Sequence, residues 1–254
     1  MIDPLRVERE TFVAQAEVHA ELPSTNDRAL RLAASSSELP RLIVALRQTL
    51  GRGRGANRWW STDGGLTFSL IVNAAPIDIE RRPLIGLVAG GAVCEAVATA
   101  VPGSDVRLKW PNDVFVDGGK ACGILVEVPP DAPDRLVIGV GLNVNVSLRE
   151  APDDVRRRAR ALCDVAGRAL DLGDLLVRFL QKLDADLQRL DAGFGELLSD
   201  WRRRCLLSGR CVKLNDGTRS VTGTCLGFDD DGSLLLQTVA GPRRFRSGVI
   251  EEFE

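Results

Sequence analysis

Hydrophobic and polar positions along the chain predict a strand-rich middle with helices before and after it. Residues 24–33 are predicted to form a helix, because Ser24 can cap its first turn and Asp27 lies near its positive end. The apolar run Leu42–Leu46 predicts a short buried strand. Apolar and polar residues alternate over Leu66–Asn73, so this segment is predicted to be a half-buried strand.

Four more strands are predicted in the centre of the chain. Alternation over Val106–Trp110 indicates a strand that ends before Pro111. The segments Val114–Val116 and Ala121–Val128 are joined by an Asp-Gly-Gly turn, which is typical of a hairpin, and Leu136–Val146 forms the last strand. Because the connections are short, we expect neighbouring strands to be antiparallel.

The remaining segments predict a buried helix, a helical region and a small β-domain. The apolar stretch Leu84–Val101 is rich in glycine and alanine and carries Glu95, so a buried helix is favoured over a membrane span. Helices return from Asp153 to about Trp201, one of them with a leucine-rich stripe. From Cys205 onward, short apolar runs alternate with glycine-containing turns, which favours an appended β-barrel.

The charge balance argues against a broad nucleic-acid-binding face. The chain has 33 lysines and arginines against 35 aspartates and glutamates, so its net charge is −2. Proteins that bind nucleic acids usually carry a wide positive surface. The first residues also lack the basic segment and apolar core of a signal peptide, and we therefore expect a cytoplasmic protein.

Cysteine and histidine usage favours neither a metal site nor a histidine-dependent nucleophile. None of the six cysteines forms a Cys-x-x-Cys pair, and His19 is the single histidine. We therefore expect no metal site, and we expect reduced, buried thiols. A Ser-His-Asp or Cys-His site would need His19 as its base, and a structural role for His19 is the favoured interpretation.

The segment from Gly51 to Ser61, here called the glycine–arginine loop, is the densest source of candidate chemistry. It contains three glycines, three arginines and two tryptophans. Glycine weakens both helix and strand, so the segment is predicted to be a mobile loop. Guanidinium groups suit carboxylate and phosphate oxygens, and indole rings supply apolar walls. Such a loop could close over a phosphorylated or adenylated small molecule; a solvated linker is the alternative.

Three further clusters carry polar groups, and two of them also contain glycines. The run Lys109–Asp113 offers a lysine, an amide and a carboxylate, and we expect Asn112 and Asp113 on an exposed rim because Pro111 ends the strand. Lys120 follows a glycine turn, and Gly123 would let a ligand approach the backbone. Asn143 and Asn145 alternate after two glycines, and we expect both on one face toward a ligand. The alternative for each cluster is a polar turn or a solvated side chain.

The order of five motifs along the chain resembles that of the biotin–protein ligases. The motifs are Pro-Ser-Thr-Asn (23–26), Gln-x-x-Gly-Arg-Gly-Arg (48–54), Lys-Trp-Pro-Asn-Asp (109–113), Gly-Lys-x-x-Gly-Ile-Leu-Val-Glu (119–127) and Gly-x-Gly-x-Asn-x-Asn (139–145). The resemblance implies an α+β fold akin to that of class II aminoacyl-tRNA synthetases, with a mixed, mainly antiparallel sheet flanked by helices. It implies a catalytic domain at residues 1–204 and an SH3-like barrel at residues 205–254.

The resemblance also implies a reaction in two steps. The carboxylate of biotin attacks the α-phosphate of ATP, bound with Mg²⁺, to give biotinyl-5′-AMP and pyrophosphate. A lysine of a biotin carboxyl carrier protein then displaces AMP. Because the first motif begins at residue 23, we expect a non-regulatory member with no DNA-binding helix-turn-helix and no membrane partner. Pairing of two copies through an exposed edge strand, to give a homodimer, stays open.

Roles for individual residues follow from the resemblance, position by position. The implied biotin-binding residues are Ser24, Thr25, Asn26, Gln48, Gly51, Arg52, Gly53, Arg54, Trp59, Lys120 and Gly123. The implied ATP-binding residues are Lys109, Asn112 and Asn143. Arg54, Lys120 and Asp113 are the implied catalytic residues: Arg54 would offset charge at the α-phosphate, Lys120 would contact the acyl phosphate, and Asp113 would orient or deprotonate the carrier lysine. The loop departs from the family pattern at Ala56 and Asn57, where a glycine and an arginine are usual.

Two other functions stay open. A ligase or transferase for lipoate or octanoate would belong to the same superfamily, and a transferase of that kind would use a cysteine such as Cys122, which we interpret as a buried strand residue. An RNA-binding module would combine the basic loop with the small barrel, and its affinity would fall steeply with salt.

Overall fold

A computed structural model of the chain describes residues 2–254, apart from the side chains at 191 and 192. The helices are α1 (Pro4–Glu10), α2 (Thr25–Ala33), α3 (Ile85–Ala100), α4 (Asp153–Arg158), α5 (Leu162–Ala166), α6 (Leu172–Ala192) and α7 (Phe194–Arg204). The strands are β1 (Gln15–Leu22), β2 (Arg41–Gln48), β3 (Leu66–Asn73), β4 (Val106–Lys109), β5 (Asp113–Val116), β6 (Gly119–Glu127), β7 (Arg135–Leu142), β8 (Cys211–Asn215), β9 (Ser220–Phe228), β10 (Leu234–Thr238), β11 (Gly241–Phe245) and β12 (Val249–Phe253).

A seven-stranded sheet organises the first part of the chain in the order β1-β2-β3-β7-β6-β5-β4. All neighbouring pairs are antiparallel except β1 and β2, which are parallel. The predicted mixed, mainly antiparallel sheet with flanking helices is therefore confirmed. Strand β1 and the short helix α1 before it were not predicted, although polar and apolar residues alternate along β1.

One face of the sheet packs against α3 and α6. Ten of the sixteen residues of α3 are buried, and α3 contacts both α6 and the strands β4 to β6. In the part of the chain that the structure describes, Arg82–Ala100 is the one helical stretch long and apolar enough to cross a membrane by length and composition. Because α3 lies in the core of the molecule, the interpretation as a buried helix is confirmed.

The opposite face is covered by α2 near its centre. Ala29 and Ala33 of α2 pack against Ile43, Ile71 and Val137, which lie on three neighbouring strands. Strand β3 is consequently buried on both faces, and the expectation that it is half-buried is wrong. Ser69 of β3 lies under the start of α2, next to the predicted site residues Thr25 and Asn26.

The C-terminal strands form a separate antiparallel sheet in the order β11-β10-β9-β8-β12. This small β-domain joins the large sheet directly, because the backbone N–H of Leu206 donates to the carbonyl oxygen of Leu108 on the edge strand β4 (2.9 Å). The Trp201 ring also packs edge-on against Phe228. All six cysteines carry free thiols; Cys211 is exposed, so the expectation of uniformly buried thiols is wrong there.

Candidate functional site

Strand register places several predicted residues in a single row across the sheet. Lys109 lies opposite Asp113, Asp113 opposite Gly123, Gly123 opposite Gly141, and Gly141 opposite Thr67 on the central strand. The row crosses the face that α2 covers, and two of its five members are glycines. The sequence motifs at 109–113, 119–127 and 139–145 therefore contribute to one surface.

A buried polar cluster lies at one end of this surface. The backbone N–H and the hydroxyl of Thr25 both donate to Gln48 Oε1 (2.7 and 3.0 Å), and Ser69 Oγ donates to Asn26 Oδ1 (2.5 Å). Ser24 caps α2 through its hydroxyl. All five residues are at least nine-tenths buried. The structure thus brings together the predicted Ser24, Thr25, Asn26 and Gln48, and it adds Ser69, whose only sequence signal is a polar residue within a strand.

A carboxylate network joins the polar cluster to the glycine–arginine loop. Glu127 Oε2 accepts from Asn26 Nδ2 (2.8 Å), and the two oxygens of Glu127 accept from the two Nη atoms of Arg52 (2.7 and 3.1 Å). Asp27 also accepts from Arg52 Nη1 (2.7 Å). The hydrogen bond to Glu127 is the main cause that raises the pKa of Arg52. Glu127 closes one of the predicted motifs, but sequence reasoning gave it no role.

Glycines of the row form the floor on which Trp59 lies. A β-carbon on Gly141 would collide with the indole of Trp59, and one on Gly123 would lie 3.3 Å from the same ring. The backbone N–H of Trp59 donates to the carbonyl oxygen of Gly51 (3.0 Å), and a β-carbon on Gly51 would meet the carbonyl oxygen of Trp59. Trp59 therefore lies against both of the other predicted residues, Gly51 and Gly123.

The middle of the glycine–arginine loop forms a tight turn. The backbone N–H of Gly53 donates to the carbonyl oxygen of Asn57 (2.9 Å), and Asn57 Nδ2 donates to the carbonyl oxygen of Arg54 (3.0 Å). Gly55, with a φ of +63°, lies inside the turn. Asn57, which stands where the family pattern usually has a basic residue, thus closes the turn with its side chain.

Arg54 extends away from the polar cluster to the small β-domain. Its Nη1 donates to the carbonyl oxygen of Gly248 (2.7 Å). A cleft of about 300 Å³ runs along the loop between Asp27 and Arg58. The loop is therefore held at both sides, by Arg52 toward β6 and by Arg54 toward the second sheet.

Lys120 and Asp113 form an ion pair at the other end of the row, with Nζ and Oδ1 2.6 Å apart. The Asp113 side chain is 16% exposed and belongs to the first residue of β5, so the expectation that it lies on an exposed rim is wrong. Asn112 Nδ2 donates to the carbonyl oxygen of Ile124 (2.5 Å), and Asn143 Nδ2 lies 3.5 Å from the carbonyl oxygen of Lys120. The predicted catalytic and nucleotide residues are neighbours here.

Lys109 is enclosed by aromatic rings from both sheets. Its Nζ lies 5.8 Å from the ring centre of Phe115 and 5.3 Å from that of Phe253, the latter on the last strand of the small β-domain. Burial lowers the pKa of Lys109, and the negative charge of Asp113 opposes that effect. Ring faces attract a cation and offset part of its lost hydration. Phe253 carries no motif, and sequence reasoning missed it.

Two predicted or alternative residues lie outside the site. Asn145 exchanges hydrogen bonds with the backbone of Leu170 (2.8 and 2.9 Å), so the expectation that it faces a ligand with Asn143 is wrong. Strand β7 ends at Leu142, which breaks the alternation on which that expectation relied. Burial raises the pKa of the Cys122 thiol well above its ordinary value, which argues against a thiolate nucleophile there.

Comparison with known proteins gives concordant matches to both parts of the chain. The model of the biotin/lipoate A/B protein ligase family matches residues 18–143, and that of the biotin protein ligase C terminal domain matches residues 207–251.

Two relatives carry the name biotin–[acetyl-CoA-carboxylase] ligase. The protein from Mycobacterium tuberculosis is 36% identical over 227 residues, which cover 87% of this chain and 83% of that protein. The protein from Paracoccus denitrificans is 32% identical over 231 residues, which cover 87% and 94% of the two chains.

A solved structure described as biotin protein ligase from Aquifex aeolicus in complex with biotin and ATP superposes with a TM-score of 0.83. It is 31% identical in sequence, and the match covers 94% of this chain and 98% of that one.

Proposed function

The chain belongs to the biotin protein ligase family, and we propose that it attaches biotin to a lysine of a biotin carboxyl carrier protein. In the first step the biotin carboxylate displaces pyrophosphate from ATP and forms biotinyl-5′-AMP. In the second step the carrier lysine attacks the acyl carbon and AMP leaves. The observation that carries the proposal is the row from Lys109 to Thr67, which joins a buried polar cluster to a pair of lysines and a carboxylate.

The polar cluster suits the ureido ring of biotin. That ring has both N–H donors and a carbonyl acceptor, and Thr25, Asn26 and Gln48 offer the complementary groups within a water-excluded space. The apolar remainder of biotin would run along the indole ring of Trp59, which covers Gly123 and Gly141, toward Lys120. This path places the biotin carboxylate near the Lys120–Asp113 pair.

The phosphate end is built from cations on separate elements. Lys120 would bind the biotin carboxylate and then the acyl phosphate, while Lys109, Asn112 and Asn143 would contact the nucleotide. Arg54 would reach the α-phosphate after exchanging its bond to the carbonyl oxygen of Gly248. Positive groups fixed where negative charge accumulates stabilise the transition state of the transfer.

Asp113 would serve the second step. It pairs with Lys120 at 2.6 Å, and a substrate phosphate that engages Lys120 would leave this carboxylate available to the incoming amine. A carboxylate within hydrogen-bond reach can orient the amine and accept its proton. The carrier lysine would therefore enter at the Asp113 end of the row.

Mg²⁺ would enter with the nucleotide. Among the described side chains, which exclude those at 191 and 192, no group of three or more His, Cys, Asp or Glu residues is arranged to hold a metal ion. Mg²⁺ commonly binds through substrate phosphates and water, where it neutralises phosphate charge. The chain itself would contribute its lysines and arginines around that complex.

The two parts of the chain would have different roles. We assign biotin and ATP binding to residues 1–204 and a closing role to residues 205–254, which supply the carbonyl group of Gly248 and the ring of Phe253. This division follows the matched family segments, which end at residue 143 and resume at residue 207.

A pyrophosphate-exchange assay tests the proposal. Purified protein should exchange labelled pyrophosphate into ATP when biotin is present, and it should then transfer biotin to a purified carrier domain. Lipoate and octanoate in place of biotin, and the Lys120→Ala variant, provide the controls. Exchange with lipoate or octanoate alone would favour the other acyl ligases, whereas salt-sensitive RNA binding without any exchange would favour an RNA-binding module.

A further inference from the structure

Glu127 is the point at which three separate parts of the site meet. It ends strand β6, it accepts a hydrogen bond from Asn26 at the start of α2, and it forms a two-pronged ion pair with Arg52 of the glycine–arginine loop. One oxygen, Oε2, accepts from both Asn26 and Arg52, at 2.8 and 3.1 Å. A displacement of either partner therefore changes the bond to the other.

The carboxylate of Glu127 fixes which way the Asn26 amide faces. A carboxylate can only accept, so it requires the Nδ2 group on its side, where the carbonyl oxygen of Leu125 lies 3.4 Å away and takes the second hydrogen. Asn26 Oδ1 then accepts from Ser69 Oγ and keeps one further lone pair. In this orientation Asn26 offers a ligand an acceptor and no donor, which suits an N–H of the ureido ring.

The same carboxylate anchors the beginning of the glycine–arginine loop. Both Nη atoms of Arg52 are engaged by Glu127, and Asp27 accepts a further bond on the other side. Two parallel bonds between a guanidinium and a carboxylate hold a defined geometry better than a single contact. Arg52 thereby holds the loop to β6, and Arg54 is the loop arginine that bonds to Gly248, the residue before β12 in the small β-domain.

We infer that Glu127 is a positioning residue that couples recognition of the biotin ring to closure of the glycine–arginine loop. This inference rests on the proposed function and deepens it. Glu127 sets the acceptor orientation of Asn26 and, through the shared oxygen, holds Arg52 in the arrangement that retains the adenylate. The carboxylate acts through Asn26 and Arg52 and does not touch the reacting atoms.

The variant Glu127→Gln tests the inference, because glutamine keeps the size of the side chain but replaces one acceptor with a donor. The new NH₂ group must face either Asn26 Nδ2 or a guanidinium hydrogen. We expect the KM for biotin to rise about ten-fold or more, since hydrogen bonds to a charged partner are lost. We also expect faster release of biotinyl-AMP and little change in the KM for ATP.

The variant Asp27→Asn is the matched control. It removes the other carboxylate partner of Arg52 and leaves the bond between Glu127 and Asn26 in place. It should speed release of biotinyl-AMP, and it should raise the KM for biotin much less than Glu127→Gln does, because the carboxylate that faces Asn26 is retained. Glu95→Gln, which breaks a distant ion pair with Arg204, should change neither quantity.

The outcomes separate this inference from a merely structural role and from the proposed function. Unchanged biotin KM and adenylate retention in Glu127→Gln would overturn it. Equal rises in the KM for biotin and ATP, together with a lower melting temperature, would also overturn it in favour of a structural role. Failure of the wild-type protein to exchange pyrophosphate with biotin would instead reject the proposed function itself.

Discussion

Gly139 and Asn26 approach so closely that Gly139 has no room for a side chain. Gly139 lies on β7 opposite Ser69, the residue that donates to Asn26, and a β-carbon on Gly139 would overlap the Asn26 amide group. The depth of the polar cluster is therefore set by a glycine on the sheet as much as by the polar side chains themselves.

Replacement of this glycine should impair binding of biotin. Gly139→Ala must push Asn26 away from Ser69, so we expect a higher KM for biotin and a loss of about 1–3 kcal/mol in the free energy of unfolding. Gly195→Ala is the control. Gly195 lies in helix α7 with open space around it, so this variant should raise the free energy of unfolding and leave the KM for biotin unchanged. Urea unfolding measures the change in stability, and steady-state kinetics measures the KM for biotin. A wild-type KM in Gly139→Ala would contradict the assigned pocket.

Arg54 is expected to retain the adenylate. Arg54→Ala removes both the guanidinium proposed for the α-phosphate and the bond to the carbonyl oxygen of Gly248. Biotinyl-AMP should then leak from the site and label lysines of unrelated proteins, which a streptavidin blot of a protein mixture would detect. Arg47→Ala, which breaks an ion pair between strands β1 and β2, serves as the control. Equal labelling specificity in wild type and Arg54→Ala would refute the role.

The two partners of the ion pair at the phosphate end should affect different steps. Lys120→Gln is expected to abolish pyrophosphate exchange, because the carboxylate and acyl phosphate lose their cation. Asp113→Asn should keep exchange but slow transfer to the carrier by roughly 100-fold, the usual range for a general base. Single-turnover assays with isolated biotinyl-AMP resolve the second step. Loss of exchange in Asp113→Asn would place that residue in the first step instead.

The aromatic contacts of Lys109 should matter for the nucleotide. Phe253→Ala removes the nearer of two rings and admits water, so we expect the pKa of Lys109 to return toward its ordinary value and the KM for ATP to rise. Phe253→Tyr keeps the ring and should restore the wild-type KM. The KM for biotin provides the internal reference. A parallel rise in the KM for ATP and the KM for biotin would indicate that the whole site is disrupted.

Glu17 should contribute stability that depends on pH. Its burial alone would raise its pKa, but hydrogen bonds from Arg28 and Arg41, with His19 close by, lower the pKa to about 2. Since the folded pKa lies below the unfolded value, this stabilisation is present above about pH 4.5 and is lost as pH falls toward 2, with a magnitude on the order of 2 kcal/mol.

Unfolding experiments on Glu17→Gln check that expectation. The free energy of unfolding of Glu17→Gln should be lower than that of wild type at pH 7, and this difference should shrink at pH 3. Glu21→Gln provides the comparison. Glu21 is exposed, and its Oε2 lies 3.7 Å from Arg47 Nε, so this variant should lower the free energy of unfolding by less. A difference that stays constant with pH would contradict the assignment.

The sequence predicted the elements whose signals are local. The Ser24 cap, the alternation in β4 and the Asp-Gly turn before β6 each depend on neighbours in the chain, and the structure contains all three. The motif order also predicts Lys120 and Asp113 as site residues, and in the structure their side chains are in contact. Local patterns were sufficient because these features require only short-range geometry.

Contacts between distant segments could not be predicted in the same way. Asn26 and Glu127 are 101 residues apart, and their bond depends on strand register and on the parallel pairing of β1 with β2. Phe253 reaches Lys109 from the other sheet. Asn145 was assigned to the wrong place because alternation was assumed to continue past Leu142, where the strand ends.

The hydrogen bond between Leu206 and Leu108 has a consequence for truncation. It gives β4, an edge strand of the large sheet, a short backbone neighbour from the polypeptide that leads into the small β-domain. A chain cut after residue 204 would lack the Leu206 amide and would leave the carbonyl oxygen of Leu108, next to Lys109, without this donor. Unpaired strand edges recruit other strands. Such a fragment should self-associate along β4, so that its nucleotide end becomes obstructed by another molecule of the same fragment.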